Sequence, residues 1–455
     1  MKFKLTFWGG AGVVTGANFL LEGNGKRFLI DCGLQQGCFK VCDDNNRKPF
    51  PYDPTSIDAV FLTHSHIDHV GRLPKLVREG FRGAIYSTSP TKEIAREMLI
   101  DSLGVLEKEA RRDNLPTIYN VDDVAETMKK WQTLKYHEDL NIGDGLVIRL
   151  RDSGHVLGSA MIEFAVNNKK VVFTGDLGNS PSTLLKDCEI VSDADYLIME
   201  SVYGDRNHQK KEERGRLLEE IIERTIKAGG VLMIPAFSLE RTQEMLYEIN
   251  DLAENKKIPV VPIYLDSPLA IRVTGIYGKY KEYFNDEARR LTSRGDDIFS
   301  FPGLKKTLTT EESRGILSSS DPKVIIAGSG MSNGGRIIHH EKNYLPNAKN
   351  TLLLVGYQAA GTLGRLLQEG TKLVKILGEQ VPVMAKVVTI SGYSAHMDSD
   401  ALIEFASHTK DKIKTVFAVM GEPRSALFLV QKLRDNLGIN AVAPQAGESV
   451  ELDMA

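Results

Sequence analysis

His64-Ser65-His66-Ile67-Asp68-His69 places four metal-ligand side chains within six residues. It directly follows Ala59-Val60-Phe61-Leu62-Thr63, an apolar run that reads as a buried strand. The ligands therefore fall on the turn where that strand ends. On an extended backbone, residues two apart point the same way, so His64 and His66 face one point. Asp68 and His69 follow and can turn toward a second point nearby. One short loop can thus serve two adjacent cations, as two-metal hydrolysis requires. The bland alternative, a polar loop with chance histidines, seldom concentrates imidazoles in this way.

Two further residues fit the same chemistry. His155 lies in the glycine-flanked turn Asp152-Ser153-Gly154-His155-Val156-Leu157-Gly158, after the apolar run Leu146–Leu150. Asp176 ends Val171-Val172-Phe173-Thr174-Gly175-Asp176, and a carboxylate there can bridge two cations because each oxygen has lone pairs for a different metal. Either residue alone reads as a turn former; beside the first cluster, the metal reading is favoured.

These residues, with Asp31 in Leu29-Ile30-Asp31-Cys32-Gly33, resemble the metallo-β-lactamase superfamily. Glu200 in Met199-Glu200-Ser201 and His396 in Ser394-Ala395-His396 resemble motifs A and B of its β-CASP branch. Pro235-Ala236-Phe237-Ser238-Leu239-Glu240-Arg241, Gly328-Ser329-Gly330-Met331, Tyr357-Gln358 and Gly361-Thr362-Leu363-Gly364-Arg365 resemble further β-CASP signatures. The resemblance covers nearly the whole chain, and is greatest to prokaryotic ribonucleases similar to the endonuclease of the polyadenylation cleavage complex. It implies an α/β fold: a metallo-β-lactamase αββα sandwich over 1–205, a β-CASP α/β insertion over 206–382, and a return to the first domain over 383–455.

By the same resemblance, His64, His66, His155 and Asp176 hold one zinc, and Asp68, His69 and Asp176 a second. Asp31 would orient a ligating histidine, Asp68 the attacking water, and His396 would be the general acid, with Glu200 raising its basicity. The family's motif C carries a histidine where this chain has Met420 in Val416-Phe417-Ala418-Val419-Met420-Gly421-Glu422. A thioether is a weak ligand for zinc among oxygens and imidazoles, so weaker occupancy of the second site is expected. Manganese is the alternative for that oxygen-rich position.

The implied substrate is single-stranded RNA, cut endonucleolytically in a cleft between domains, with a 5′-exonuclease mode on the same site as a variant. Ser329, Gly330, Ser332 and Arg336 are candidate substrate contacts, because glycine permits close backbone approach and a guanidinium suits phosphate. Arg241 and Arg365 are weighed evenly between that role and plain salt bridges. Met420 keeps two rivals open: a DNA nuclease of Artemis type, and a non-catalytic nucleic-acid-binding β-CASP protein. His339 and His340 read as helix residues in the insertion; His137, His208 and His408 as structural or solvent-facing.

Composition adds little. The 455 residues carry a formal charge of −3, neither announcing nor excluding a nucleic-acid partner. The chain opens directly into the strand-like Phe3-Lys4-Leu5-Thr6-Phe7, and no signal peptide or membrane span is evident. With only four cysteines, reduced thiols and a cytoplasmic location are expected; Cys38 and Cys42 read as ordinary thiols, with a disulfide or an adventitious metal as the alternative.

Overall fold

The computed structural model describes residues 2–37, 39–208, 213–320, 322–359 and 361–455. The chain divides into two units, one of residues 1–182, 186–207 and 396–455, the other of 183–185 and 208–395.

The first unit is built on two seven-stranded sheets. Strand Ala59–Phe61 is buried throughout and lies parallel to Lys26–Ile30 and Ala84–Ser87 in one sheet. In the other, Lys169–Phe173 pairs antiparallel with Ala160–Val166 and parallel with Tyr196–Glu200, which in turn pairs parallel with Thr415–Val419. The facing sides share one apolar core, including Phe19, Phe28, Phe61, Phe164, Phe173 and Phe417. Phe164 meets the Phe61 ring edge-on at 5.4 Å and Phe28 at 5.6 Å, joining the sheets through aromatic contact. Separate cores lie on the two outer faces, one including Leu73, Leu76 and Leu99, the other Leu402, Leu429 and Leu433. These residues belong to helices Leu73–Arg78, Ser89–Asp113, Ser399–Ser407 and Pro423–Leu437. Helices on both outer faces of two packed sheets make the expected αββα sandwich.

The second unit holds a parallel sheet of six strands, in the order Leu304–Lys306, Ile263–Asp266, Lys323–Ala327, Val231–Pro235, Thr351–Leu354, Lys386–Thr389. Its inner strands are buried runs of Val, Ile, Leu and Met, as a sheet covered on both faces requires. Strand Ile263–Asp266 begins only after Val260, which is 80% exposed, and Pro262, which lacks an amide donor. Strand Lys386–Thr389 pairs with Thr351–Leu354 in this sheet, and the chain re-enters the first unit only at His396, later than the expected 383.

Cys32 and Cys188 are free thiols. Cys42 is disulfide-bonded, correcting the expectation of an ordinary thiol; Cys38 lies outside the described residues. Among the described residues no helix is long and apolar enough to cross a membrane.

Candidate metal centre

The histidine loop follows strand Ala59–Phe61 and enters the short helix Ile67–Val70, with His66 extended at φ −61°, ψ 148°. Backbone bonds fix it from below. Ala17 N donates to Asp68 O at 2.9 Å, Cys32 N to His69 O at 2.7 Å and Leu34 N to Ile67 O at 3.0 Å. Gly33 is required here: a Cβ would lie 1.5 Å from the Asp68 carbonyl oxygen. Asp31, buried at φ +59°, accepts from Thr63 N and Thr63 Oγ1, both at 2.8 Å, and stands 2.7 Å from His69 Nδ1. That contact turns His69 Nε2 toward Asp176. Thr63 Oγ1 also stands 3.0 Å from His64 Nδ1, leaving His64 Nε2 to face the cluster.

His155 is presented by a loop in which Ser159 Oγ accepts from His155 N at 3.0 Å and Val156 N at 3.2 Å. Asp176 follows Gly175, whose Cβ position would lie 2.5 Å from Thr63 Cβ. His64, His66, His155 and Asp176 thereby place one donor atom each within 4.8 Å of one another.

The two oxygens of Asp176 are divided between two groups. Oδ2 lies 3.3 Å from His64 Nε2 and 3.4 Å from His155 Nε2, whereas Oδ1 lies 3.5 Å from His69 Nε2. Asp68 Oδ2 is 3.9 Å from that same His69 nitrogen. Both His69 Nε2 and Asp176 Oδ1 are buried without a hydrogen-bond partner. Burial holds His64, His66 and His155 below the ordinary imidazole range, in the neutral form that ligates metal. Burial opposes charge on His69 and Asp176 too, but Asp176, Asp31 and Asp68 push His69 up to about 10, and His69 and His64 hold Asp176 well down. Neutral imidazoles beside converging carboxylates, with orphaned donors between them, fit a divalent cation.

Met420 enters from below. It is 2% exposed, follows strand Thr415–Val419 at φ +50°, and donates its amide to Gly10 O at 2.6 Å. With Asp31, Thr63, His69 and Gly175 it lines a void of about 10 Å³. Its sulfur lies over Gly10, where a Cβ would come within 2.4 Å.

Glu200 ends strand Tyr196–Glu200, fully buried. Its Oε1 accepts from Leu177 N at 2.6 Å, and both oxygens lie 3.1 Å from His396 Nδ1. His396 is fixed by a bridge to Gly178 and by Met397 N donating to Leu177 O at 2.9 Å. Burial disfavours an imidazolium, yet Glu200, with Asp176 and Asp68, pushes His396 up to about 9. Asp176, Glu200 and His396 form a second group with donor atoms within 4.8 Å.

The expected substrate contacts are scattered over the second unit. Arg336 donates to Asp266 Oδ1 at 2.7 Å and to the carbonyls of Thr307 and Leu308, both at 2.9 Å. His340 stands 2.7 Å from the other Asp266 oxygen. Arg241 is buried, paired with Glu244 and set 5.7 Å over the Tyr393 ring. Arg365 pairs with Glu369 at 2.6 Å, and Ser332 is buried against Glu341. Ser329 and Gly330 lie on the loop after strand Lys323–Ala327. His137 is exposed, 3.1 Å from Glu189. Thr63, which organises Asp31, His64 and His69 at once, was not singled out from sequence; its place between the strand and the first histidine was the available signal.

Residues 20–202 match the family described as metallo-beta-lactamase superfamily domain, 242–367 the Beta-Casp domain, and 380–444 the Zn-dependent metallo-hydrolase RNA specificity domain. The chain is 38% identical to ribonuclease TTHA0252 of Thermus thermophilus over 424 residues, 93% of this chain and 92% of that protein. It is 32% identical to an RNase J-like protein of Methanocaldococcus jannaschii, covering 97% and 98%. It is 31% identical to transcription termination factor FttA of Methanosarcina mazei, covering 99% of this chain and 71% of that one. A solved structure, a protein of unknown function from Enterococcus faecalis V583, aligns over 99% of this chain with a TM-score of 0.56 at 13% identity, which bears on the fold alone. With the αββα sandwich, the inserted α/β sheet and the histidine–aspartate cluster in hand, the chain belongs to the β-CASP family of the metallo-β-lactamase superfamily.

Proposed function

We propose that this protein is a metal-dependent ribonuclease that hydrolyses phosphodiester bonds of single-stranded RNA, endonucleolytically, with zinc as its metal. The observation that carries the reading is the division of Asp176, one oxygen toward His64 and His155 and the other toward His69. His64, His66, His155 and Asp176 would hold one cation, and Asp68, His69 and Asp176 a second. A divalent cation so held supplies Lewis acidity and lowers the pKa of a water at neutral pH.

The chain's own groups account for the remainder. Asp31 keeps His69 oriented, and Asp68 is placed to orient water. Glu200 keeps His396 protonated through Nδ1, which leaves Nε2 to pass a proton to the departing oxygen. In the second unit, the backbone at Ser329 and Gly330 is proposed to lie against substrate, with Ser332, Arg336, Arg241 and Arg365 supporting that surface. The ribonuclease name of the Thermus relative and the RNA-specificity match at 380–444 support RNA over DNA. Met420 favours a second reading, a DNA nuclease or a binding protein with an impaired second site.

The test is cleavage of end-labelled single-stranded RNA and DNA, with metal content measured in parallel. Internal cuts in RNA that chelator abolishes bear the proposal out. Cleavage of DNA alone, or of neither polymer by zinc- or manganese-loaded protein, overturns it.

A further inference from the structure

The strand order of the second unit contains a topological switch point, the place where open α/β sheets bind ligands. The chain leaves Val231–Pro235 toward Ile263–Asp266 on one side of it, and leaves the neighbouring Lys323–Ala327 toward Thr351–Leu354 on the other. Right-handed crossovers send these connections to opposite faces, so a crevice opens between the carboxyl ends of the two neighbours. Core packing agrees: Ile337 from the second connection packs with Val231 and Met233, whereas the intervening Leu232 lies outside that cluster. Ala236-Phe237-Ser238 and Gly328-Ser329-Gly330 directly follow these two carboxyl ends.

Phe237 is 41% exposed at this point. Among the described residues three aromatic side chains are exposed, Phe237, Tyr357 and Phe428. Two of these follow adjacent strands of this sheet, so their exposure is concentrated at the crevice end. The Phe237 ring leans on Gly330, where a Cβ would lie 2.7 Å from Cδ2. Its backbone is pinned by Thr242 Oγ1, which donates to Phe237 O at 2.7 Å. Gly330 is itself tied down by Gln358 Nε2, donating to Gly330 O at 3.0 Å. Ser238 and Ser267 bring their hydroxyls within 3.2 Å of each other, both 3.8 Å from a Cβ position at Gly328.

We propose that Phe237 is a stacking platform for one nucleobase of single-stranded RNA. A fixed π-face suits a base of any sequence, and neighbouring hydroxyls suit the sugar–phosphate or base edges. A purely aliphatic ligand would make no use of those hydroxyls, whereas a nucleotide offers both a π-face and polar edges. The proposal rests on the ribonuclease reading and adds a subsite to it.

The experiment measures binding of the full-length protein to short single-stranded RNAs in chelator, with one abasic position walked along the strand. Wild type should lose about ten-fold or more in affinity at one position. That position-specific penalty should vanish in Phe237→Ala and persist in Phe237→Trp, with thermal unfolding unchanged. If Phe237→Ala binds intact RNA as tightly as wild type, or weakens intact and abasic strands equally, the platform is overturned while the ribonuclease reading stands. If wild type neither binds RNA nor cuts it when metal-loaded, both fail.

Discussion

Both carboxylate oxygens of Glu200 lie 3.1 Å from Nδ1 of His396, a histidine that re-enters the first unit 196 residues later. The buried carboxylate holds the imidazolium in one orientation. Glu200→Gln and His396→Ala should each lower kcat by about 10²- to 10⁴-fold with KM little changed. Metal content separates two roles, because Asp176, Glu200 and His396 also make a compact donor group. Unaltered zinc in both variants assigns them to proton transfer. Loss of a metal equivalent would instead make them ligands.

Met420 adjoins His69 across a small void, and neither His69 Nε2 nor Asp176 Oδ1 has a partner. Replacing the thioether by imidazole gives this position a stronger donor for zinc. Met420→His should raise bound zinc from about one toward about two equivalents per chain and make the second harder to remove by dialysis. The check is elemental analysis at graded free zinc. Equal content in wild type and variant at every concentration would show that Met420 does not limit the second site.

The metal loop could be read from sequence because its ligands are sequence neighbours at a strand end, where backbone geometry alone aims His64 and His66. His155 and Asp176 sit on glycine-marked turns after apolar runs, and the resemblance drew them together with Glu200 and His396. The sandwich and the inserted sheet were foreseen for the same reason. Pairing was harder to foresee. Nothing local in Lys386–Thr389 says which sheet it joins, since strand partners are chosen by tertiary contact. Likewise nothing local shows that Arg336 meets the distant Asp266, whereas the Arg241–Glu244 pair lies one turn apart on a helix.

Arg336 and Asp266 make a partly buried ion pair that His340, Thr307 and Ser313 complete. Removing the guanidinium leaves the fully buried Asp266 charge undercompensated. Arg336→Ala should therefore destabilise the fold by about 3 kcal/mol, measured by denaturant unfolding. A substrate contact alone would weaken RNA binding without that loss. Unchanged stability with a raised KM would return Arg336 to the substrate surface.

Glu240 is buried beside Glu244, and burial together with that neighbouring charge pushes its carboxyl up to about 8, against the Tyr277 hydroxyl and Arg241. The folded state thus retains a proton that the unfolded chain releases near the ordinary 4.5. More protons bound in the folded state means that stability falls as pH rises. The contribution is fully present below about 4.5 and is lost as pH climbs through about 8. Glu240→Gln keeps an acceptor for Tyr277 but cannot ionise. Its unfolding free energy should vary less than that of wild type between those pH values, and it should be the more stable protein at pH ~9, by on the order of 1–3 kcal/mol. Parallel stability–pH curves for the two proteins would mean that Glu240 is ionised in the folded state across this range.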